Sequence, residues 1–131
     1  MGTFHYQIEV GAAETGPFAP LTAVVDTGAT YSWIPRSILM GLGVTPRESR
    51  PFVVADGRSI EREIAVVYIR IDGQIFPTIC VVGDEGTQPL LGAITLEAFG
   101  FAADPVNRRL VRLPYQYLLR TGWVHQSMPP S

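Results

Sequence analysis

Asp26 is the side chain whose placement in the sequence best suits chemistry. Leu21 to Val25 is an apolar run with the character of a strand entering a core, and it ends on an acid where another apolar residue would cost less. Thr27, Gly28 and Ala29 follow, small enough for backbone to approach that carboxylate closely. A carboxylate in apolar surroundings has its charged form disfavoured. It then gains a partner or keeps a proton at neutral pH, and both states serve catalysis by acids and bases. The other reading of an acid before Thr-Gly is a turn residue that accepts local backbone amides. Asp56, Asp72, Asp84 and Asp104 stand beside Gly, Glu or Pro in turn contexts, and none leaves an apolar strand into Thr-Gly. Cys80 is the single cysteine and sits in the apolar run Phe76–Val82, as expected of a buried, inert thiol. His5 and His125 are isolated near the two ends, and no Cys/His/carboxylate cluster has metal-ligand spacing, so neither a metal nor a cofactor is expected.

The elements that must position Asp26 are mostly strands. Phe4 to Val10 alternates apolar and polar residues, the period of a half-buried strand, and Gly11 to Pro20 reads as a turn or loop before the strand Leu21–Val25. Tyr31 to Pro35 alternates again. Arg36 to Leu42 suits a short helix, with Pro35 at its start and Gly43 past its end. Pro51–Ala55 and Ser59–Glu63 flank Asp56-Gly57, a strong hairpin turn. The return strand runs on to Ile71, and a second pair, Asp72-Gly73, turns it into a strand from Gln74 to Val82. After the turn Gly83–Gly86 come Leu90-Leu91-Gly92 and a helix of about two turns over Ala93–Phe99, ended by Gly100. Phe101–Asp104 and Arg109–Leu113 close the series as strands. Short strands at regular spacing with one or two short helices predict a mostly β domain of closed, barrel-like type.

Asp26-Thr27-Gly28-Ala29 after an apolar strand resembles the active-site signature of aspartic proteases. Val54-Ala55-Asp56-Gly57-Arg58 resembles their flap hairpin, and Pro89-Leu90-Leu91-Gly92-Ala93 before a short helix resembles the apolar-apolar-Gly element behind the catalytic loop. The three occur once each and in the family's order. The resemblance spans about Leu21 to Leu113 and points to the retroviral-type, single-lobe branch, here a bacterial-type member with a retropepsin-like domain. Pepsin-like enzymes carry two such loops in one chain, whereas these 131 residues hold one. The resemblance therefore implies a homodimer in which Asp26 of each copy supplies one of two carboxylates. The pair would share one proton and activate a water for attack on a peptide bond. The family pattern gives Thr27 a hydrogen bond across the dimer axis, and gives Gly28 and Ala29 close backbone approach to substrate. Ala55, Asp56, Gly57 and Arg58 would form a substrate-binding flap, in which Asp56 or Arg58 could bias substrate choice. Retroviral enzymes commonly have Asp after the Ala and Arg after the apolar-apolar-Gly, and Thr30 and Ala93 stand there instead. Trp33, Val54 and Ile94, near these loops, read as core residues and not as pocket walls.

Size and charge bound the remaining choices. A chain of 131 residues that is 47% hydrophobic can form one core without staples. A net charge of −2 gives no broad cationic field, which disfavours nucleic acid and anionic membrane as partners. All ten basic residues are Arg. No apolar run reaches the ~18 residues of a membrane span, and the first residues lack the character of an export signal. The expected setting is the cytoplasm, unless the chain is a domain excised from something longer. Residues 1–114 are expected to be the protease domain. Residues 115–131 are expected to be a C-terminal extension, with a candidate interface strand and then a frayed end. The expected activity is an endopeptidase acting on peptide or protein, and the alternative is a catalytically silent peptide-binding or dimerisation module of the same fold.

Overall fold

The computed structural model describes residues 2–113 of the chain. The expected C-terminal extension, including its candidate interface strand, lies outside the described residues. Strand β1 (Phe4–Gly11) pairs antiparallel with β2 (Phe18–Val25) from Phe4↔Val25 to Gly11↔Phe18. Their alternation is that of half-buried strands, with Phe4, Ile8, Val10, Ala23 and Val25 all buried. β2 begins at Phe18 and not at Leu21, so the loop before it is shorter than the sequence suggests and Pro20 lies within the strand. That position is tolerated because the other side of β2 is paired only at Val24 and Val25, leaving Pro20 on an open stretch where a missing N–H costs little.

The next elements are β3 (Ser32–Pro35), the short helix α1 (Arg36–Gly41), β4 (Glu48–Val53), β5 (Ser59–Ile71) and β6 (Gln74–Gly83). They are followed by β7 (Leu90–Leu91), helix α2 (Ala93–Phe99), β8 (Phe101–Asp104) and β9 (Arg109–Arg112). Gly100 caps α2 in the left-handed conformation at φ 73°, which glycine adopts without strain. β4 starts at Glu48, earlier than the Pro51 of the sequence reading, and ends at Val53. It pairs with β5 alone, so Pro51 also sits on an edge strand.

The main sheet runs β1-β2-β7-β3-β6-β5-β4, and β1 pairs in addition with β5 through Glu9↔Arg70, Val10↔Ile69 and Gly11↔Tyr68. Six strands thus close into a hydrogen-bonded ring, with β4 attached outside it. The domain is mostly β and barrel-like, with two short helices, as the strand spacing implies. β8 and β9 form a separate hairpin, and Phe101 of that hairpin stacks on Phe99 of α2 with ring centroids 6.1 Å apart.

The core fills the ring with Val67, Ile69 and Ile71 of β5, Cys80 and Val82 of β6, and Leu91 of β7. Fully burying an aliphatic side chain of this kind contributes about 2 kcal/mol. Cys80 is fully buried, and burial pushes its thiol up to about 12, so it is held neutral and unreactive at physiological pH. Among the described residues no helix is long and apolar enough to cross a membrane.

Candidate active site

β2 ends on buried Val25, and the chain then turns sharply. The Asp26 N–H donates to Leu91 O of β7 at 3.0 Å, and the Ala29 N–H donates back to Asp26 O at 3.1 Å, closing the turn. Asp26 Oδ1 accepts the Gly28 N–H at 2.9 Å. The carboxylate therefore does what a turn aspartate does while also facing a cleft. It is half-buried and not sunk in apolar core as the sequence suggests, because the turn swings it out of line with β2. Ala29 is half-buried as well, and Thr27 and Gly28 are exposed. A Cβ on Gly28 would stand 3.1 Å from Asp26 Oδ1, a tight contact that the carboxylate would have to shift to relieve.

The Leu90-Leu91-Gly92 segment passes behind this turn and ties both its ends. On the incoming side Val24 N–H donates to Pro89 O at 2.9 Å, next to the Asp26–Leu91 bond. On the outgoing side Ala93 N–H donates to Ala29 O at 2.8 Å, and Ile94 N–H donates to Thr30 O at 3.0 Å. Gly92 is wedged against the loop so tightly that a Cβ there would lie 2.5 Å from the carbonyl carbon and oxygen of Tyr31. A buried chain of hydroxyls supports the joint. Ser32 Oγ accepts the Gly92 N–H at 3.0 Å and lies 2.7 Å from Thr95 Oγ1, which in turn lies 2.9 Å from Thr78 Oγ1. These are the three buried polar residues of the described chain, and every buried side-chain polar atom among the described residues has a partner. Sequence reading passed over all three, since each looks like an ordinary strand or helix residue.

In front of Asp26 lies a cleft of about 670 Å³ between the turn and the β4–β5 hairpin. Of the residues singled out in the sequence, Asp26, Gly28, Ala29 and Ala55 line it together, whereas Thr27, Asp56, Gly57 and Arg58 do not. Its other walls include Tyr31, Trp33, Phe52 and Val54, so Trp33 and Val54 are pocket walls and not core. Ile94, expected in the core, is exposed. Phe52 meets Tyr31 and Trp33 edge-on, at centroid separations of 5.7 and 5.8 Å. Arg50 also lines the cleft and was missed in the sequence, where it reads as one of many surface arginines.

At the hairpin tip Arg58 Nε donates to Asp56 Oδ2 at 2.7 Å and Arg58 N–H donates to Asp56 Oδ1 at 3.0 Å. These hydrogen bonds hold the Asp56 carboxyl below the usual carboxylate range. The two tip charges thus pair with each other, outside the cleft lining.

Comparison with known proteins agrees with this geometry. The structure is similar to that of the EIAV protease in complex with an inhibitor, at 21% identity and a TM-score of 0.55 over 73% of this chain and 86% of that one. It is similar to the retroviral protease-like domain of Ddi1 from Leishmania major, at 19% identity and a TM-score of 0.55 over 83% and 88% of the two chains. It is also similar to a retropepsin-like aspartic protease from Rickettsia conorii, at 22% identity and a TM-score of 0.50 over 78% and 87%. Among curated proteins no sequence matches. The aspartyl protease family model matches residues 11–94, from the end of β1 through the loop, the hairpin and the Leu-Leu-Gly segment. The chain therefore belongs to the aspartyl protease family and has its retropepsin-like fold.

Proposed function

We propose that the chain is an aspartic endopeptidase that acts as a homodimer, with the Asp26 carboxylates of two copies meeting across a two-fold axis. The observation that carries this reading is the position of Asp26. It projects from a turn tied at both ends by backbone hydrogen bonds into a cleft large enough for side chains of an extended peptide. Two carboxylates this close cannot both ionise, so they hold one proton between them. The ionised member takes a proton from water as the water oxygen bonds to the peptide carbonyl carbon, and the protonated member gives its proton to the carbonyl oxygen. A proton then passes to the amide nitrogen, the C–N bond breaks, and acid and amine leave. No covalent enzyme intermediate forms.

Around that pair, Thr27 is exposed and makes no side-chain hydrogen bond among the described residues, which suits a bond to the second copy. The β4–β5 hairpin, with Ala55, Asp56, Gly57 and Arg58 at its tip, acts as the flap that covers bound peptide and excludes water. With Thr30 and Ala93 where retroviral enzymes commonly have Asp and Arg, a different network would stabilise the dimer, and the loop is tied to the helix by the backbone bonds from Ala93 and Ile94. Residues 1–114 constitute the catalytic domain, and β1 is a candidate for the dimer interface beside the paired loops.

The test is Asp26→Asn, which nearly preserves shape and hydrogen bonding. Hydrolysis of a mixed peptide library should fall at least about a thousandfold, with dimer and melting temperature retained. The wild-type rate should follow a bell-shaped pH profile peaking on the acid side of neutrality, because full protonation and full ionisation of the pair both stop the reaction. Unchanged turnover in Asp26→Asn, or a rate abolished by a chelator, overturns the reading. Peptide binding without hydrolysis by the wild type would instead identify a silent binding module.

A further inference from the structure

We propose that Arg50 selects the substrate, so that the cleft takes an extended peptide carrying a large apolar side chain and, two positions away on the same side, an acidic one. This rests on the endopeptidase reading and names the substrate class for that same site.

Burial alternates along β4. Arg50 and Phe52 are half-buried, and Pro51 and Val53 are exposed. All four border the cleft, and Arg50 and Phe52 share one face of the strand, about 6.6 Å apart along it, which is also the repeat between same-side residues of an extended peptide. Phe52, with Tyr31 and Trp33 packed edge-on against it, makes an aromatic wall for an apolar side chain. Arg50 stands one repeat along that wall.

Charge narrows the choice further. Asp26 and Arg50 are the two charged residues in the lining of the cleft, and Asp26 is committed to the reaction. The Arg50 Nε–H donates to Glu48 Oε2 at 2.6 Å, which orients the guanidinium and leaves donors on its terminal amino groups for a further acceptor. Glu48 lies two residues before Arg50 on the same strand and outside the cleft lining, and with side chains 42% and 56% exposed the Arg50–Glu48 pair is screened by water and does not fill the cleft. The Glu48 bond, aided by the Tyr31 hydroxyl, raises the Arg50 pKa and keeps the cation charged at any working pH. A carboxylate on the substrate is the group that a planar, part-buried guanidinium fork recognises with both geometry and charge. Asp56 and Arg58 pair with each other at the hairpin tip and are not part of the cleft lining.

The experiment uses paired peptides with a central Phe or Leu and either Glu or its neutral isostere Gln two positions before or after it. Hydrolysis is measured with wild type, and binding is measured by fluorescence anisotropy on Asp26→Asn, which holds peptide without cutting it. In one of the two placements wild type should favour Glu over Gln by about five- to tenfold in kcat/KM, mostly through KM. Arg50→Gln should bring that ratio to about one, and Arg50→Glu should reverse it toward Lys-containing peptides. Hydrolysis with no preference for Glu in either placement, or a preference that survives Arg50→Gln, overturns the inference and leaves the endopeptidase reading intact. Glu-selective binding without hydrolysis by wild type overturns the endopeptidase reading and supports Arg50 as the selector. Neither hydrolysis nor selective binding overturns both.

Discussion

Gly92 and Asp26 depend on each other through contacts that leave no slack. The carbonyl group of Tyr31 occupies the space where a Cβ of residue 92 would go, and Ala29 O would be 3.0 Å away on another side. Gly92→Ala must therefore push the Ala29–Tyr31 backbone, which carries the Asp26 turn. Overpacking against backbone costs about 1–3 kcal/mol, so urea denaturation should show a loss of that size, with hydrolysis falling further than stability alone explains. A variant as stable and active as wild type would mean that the joint does not position Asp26. Asp26 itself was legible in the sequence because an acid ending an apolar strand violates local pattern, and Gly92 because it follows two leucines ahead of a helix. Ser32, Thr78 and Thr95 were not legible. Their hydroxyl chain joins residues 63 and 17 positions apart, and only the closed sheet reveals that they meet.

The two Asp-Gly hairpins look alike in sequence and differ in the structure. At Asp72-Gly73 both residues have positive φ, 49° and 86°, and Ile71 pairs directly with Gln74, as a two-residue turn requires. At Asp56-Gly57 only Gly57 has positive φ, at 90°. There Val54 N–H donates to Arg58 O, and Gly57 N–H donates to Val54 O, giving a three-residue loop. Burial explains the difference. The observed register sets half-buried Phe52 opposite half-buried Ile60, whereas a two-residue turn would shift pairing by one and set Phe52 opposite exposed Glu61. Gly57→Pro removes both the positive φ and the N–H, so it should disorder the tip and cut hydrolysis of several peptides by about tenfold or more with melting nearly unchanged. Unaffected hydrolysis would show that this hairpin is not a flap.

The ring closure between β1 and β5 carries a pH-dependent element of its own. Arg70 Nε and Nη2 donate to the two carboxylate oxygens of Glu9 at 2.6 and 2.9 Å, and these bonds hold the Glu9 carboxyl below its ordinary 4.5. A depressed folded value means that the contribution is complete above about 4.5 and disappears as pH falls through the folded value. Glu9→Gln should therefore lower stability slightly at neutral pH and flatten its decline below that range, as thermal melts at stepped pH would show. Equal acid sensitivity in variant and wild type would assign the decline to other carboxylates. β1 and β3 were legible from period-two alternation and β4 to β6 from the Asp-Gly turns between them, whereas the two-residue strand β7 was not read as a strand. Pro20 and Pro51 misled the boundaries, because local sequence does not tell an edge strand from a central one.

At the scale of the whole molecule one chain supplies one Asp26, and the proposed chemistry needs two. Closure of the six-strand ring leaves the Asp26 turn at the surface, with Thr27 and Gly28 exposed, and among the described residues no second carboxylate lines the cleft. A paired loop alone buries too little for a stable complex, which needs about 1,000 Å² or more. The proposed interface therefore needs further surface, for which β1 is a candidate. The direct measurement is hydrolysis at fixed wild-type concentration as Asp26→Asn chain is added and allowed to exchange. Each heterodimer would carry one carboxylate, so a ninefold excess of variant should leave about a tenth of the starting rate. A rate that stays constant through that excess, from a wild-type protein that sediments as a monomer, would contradict a site shared between two chains.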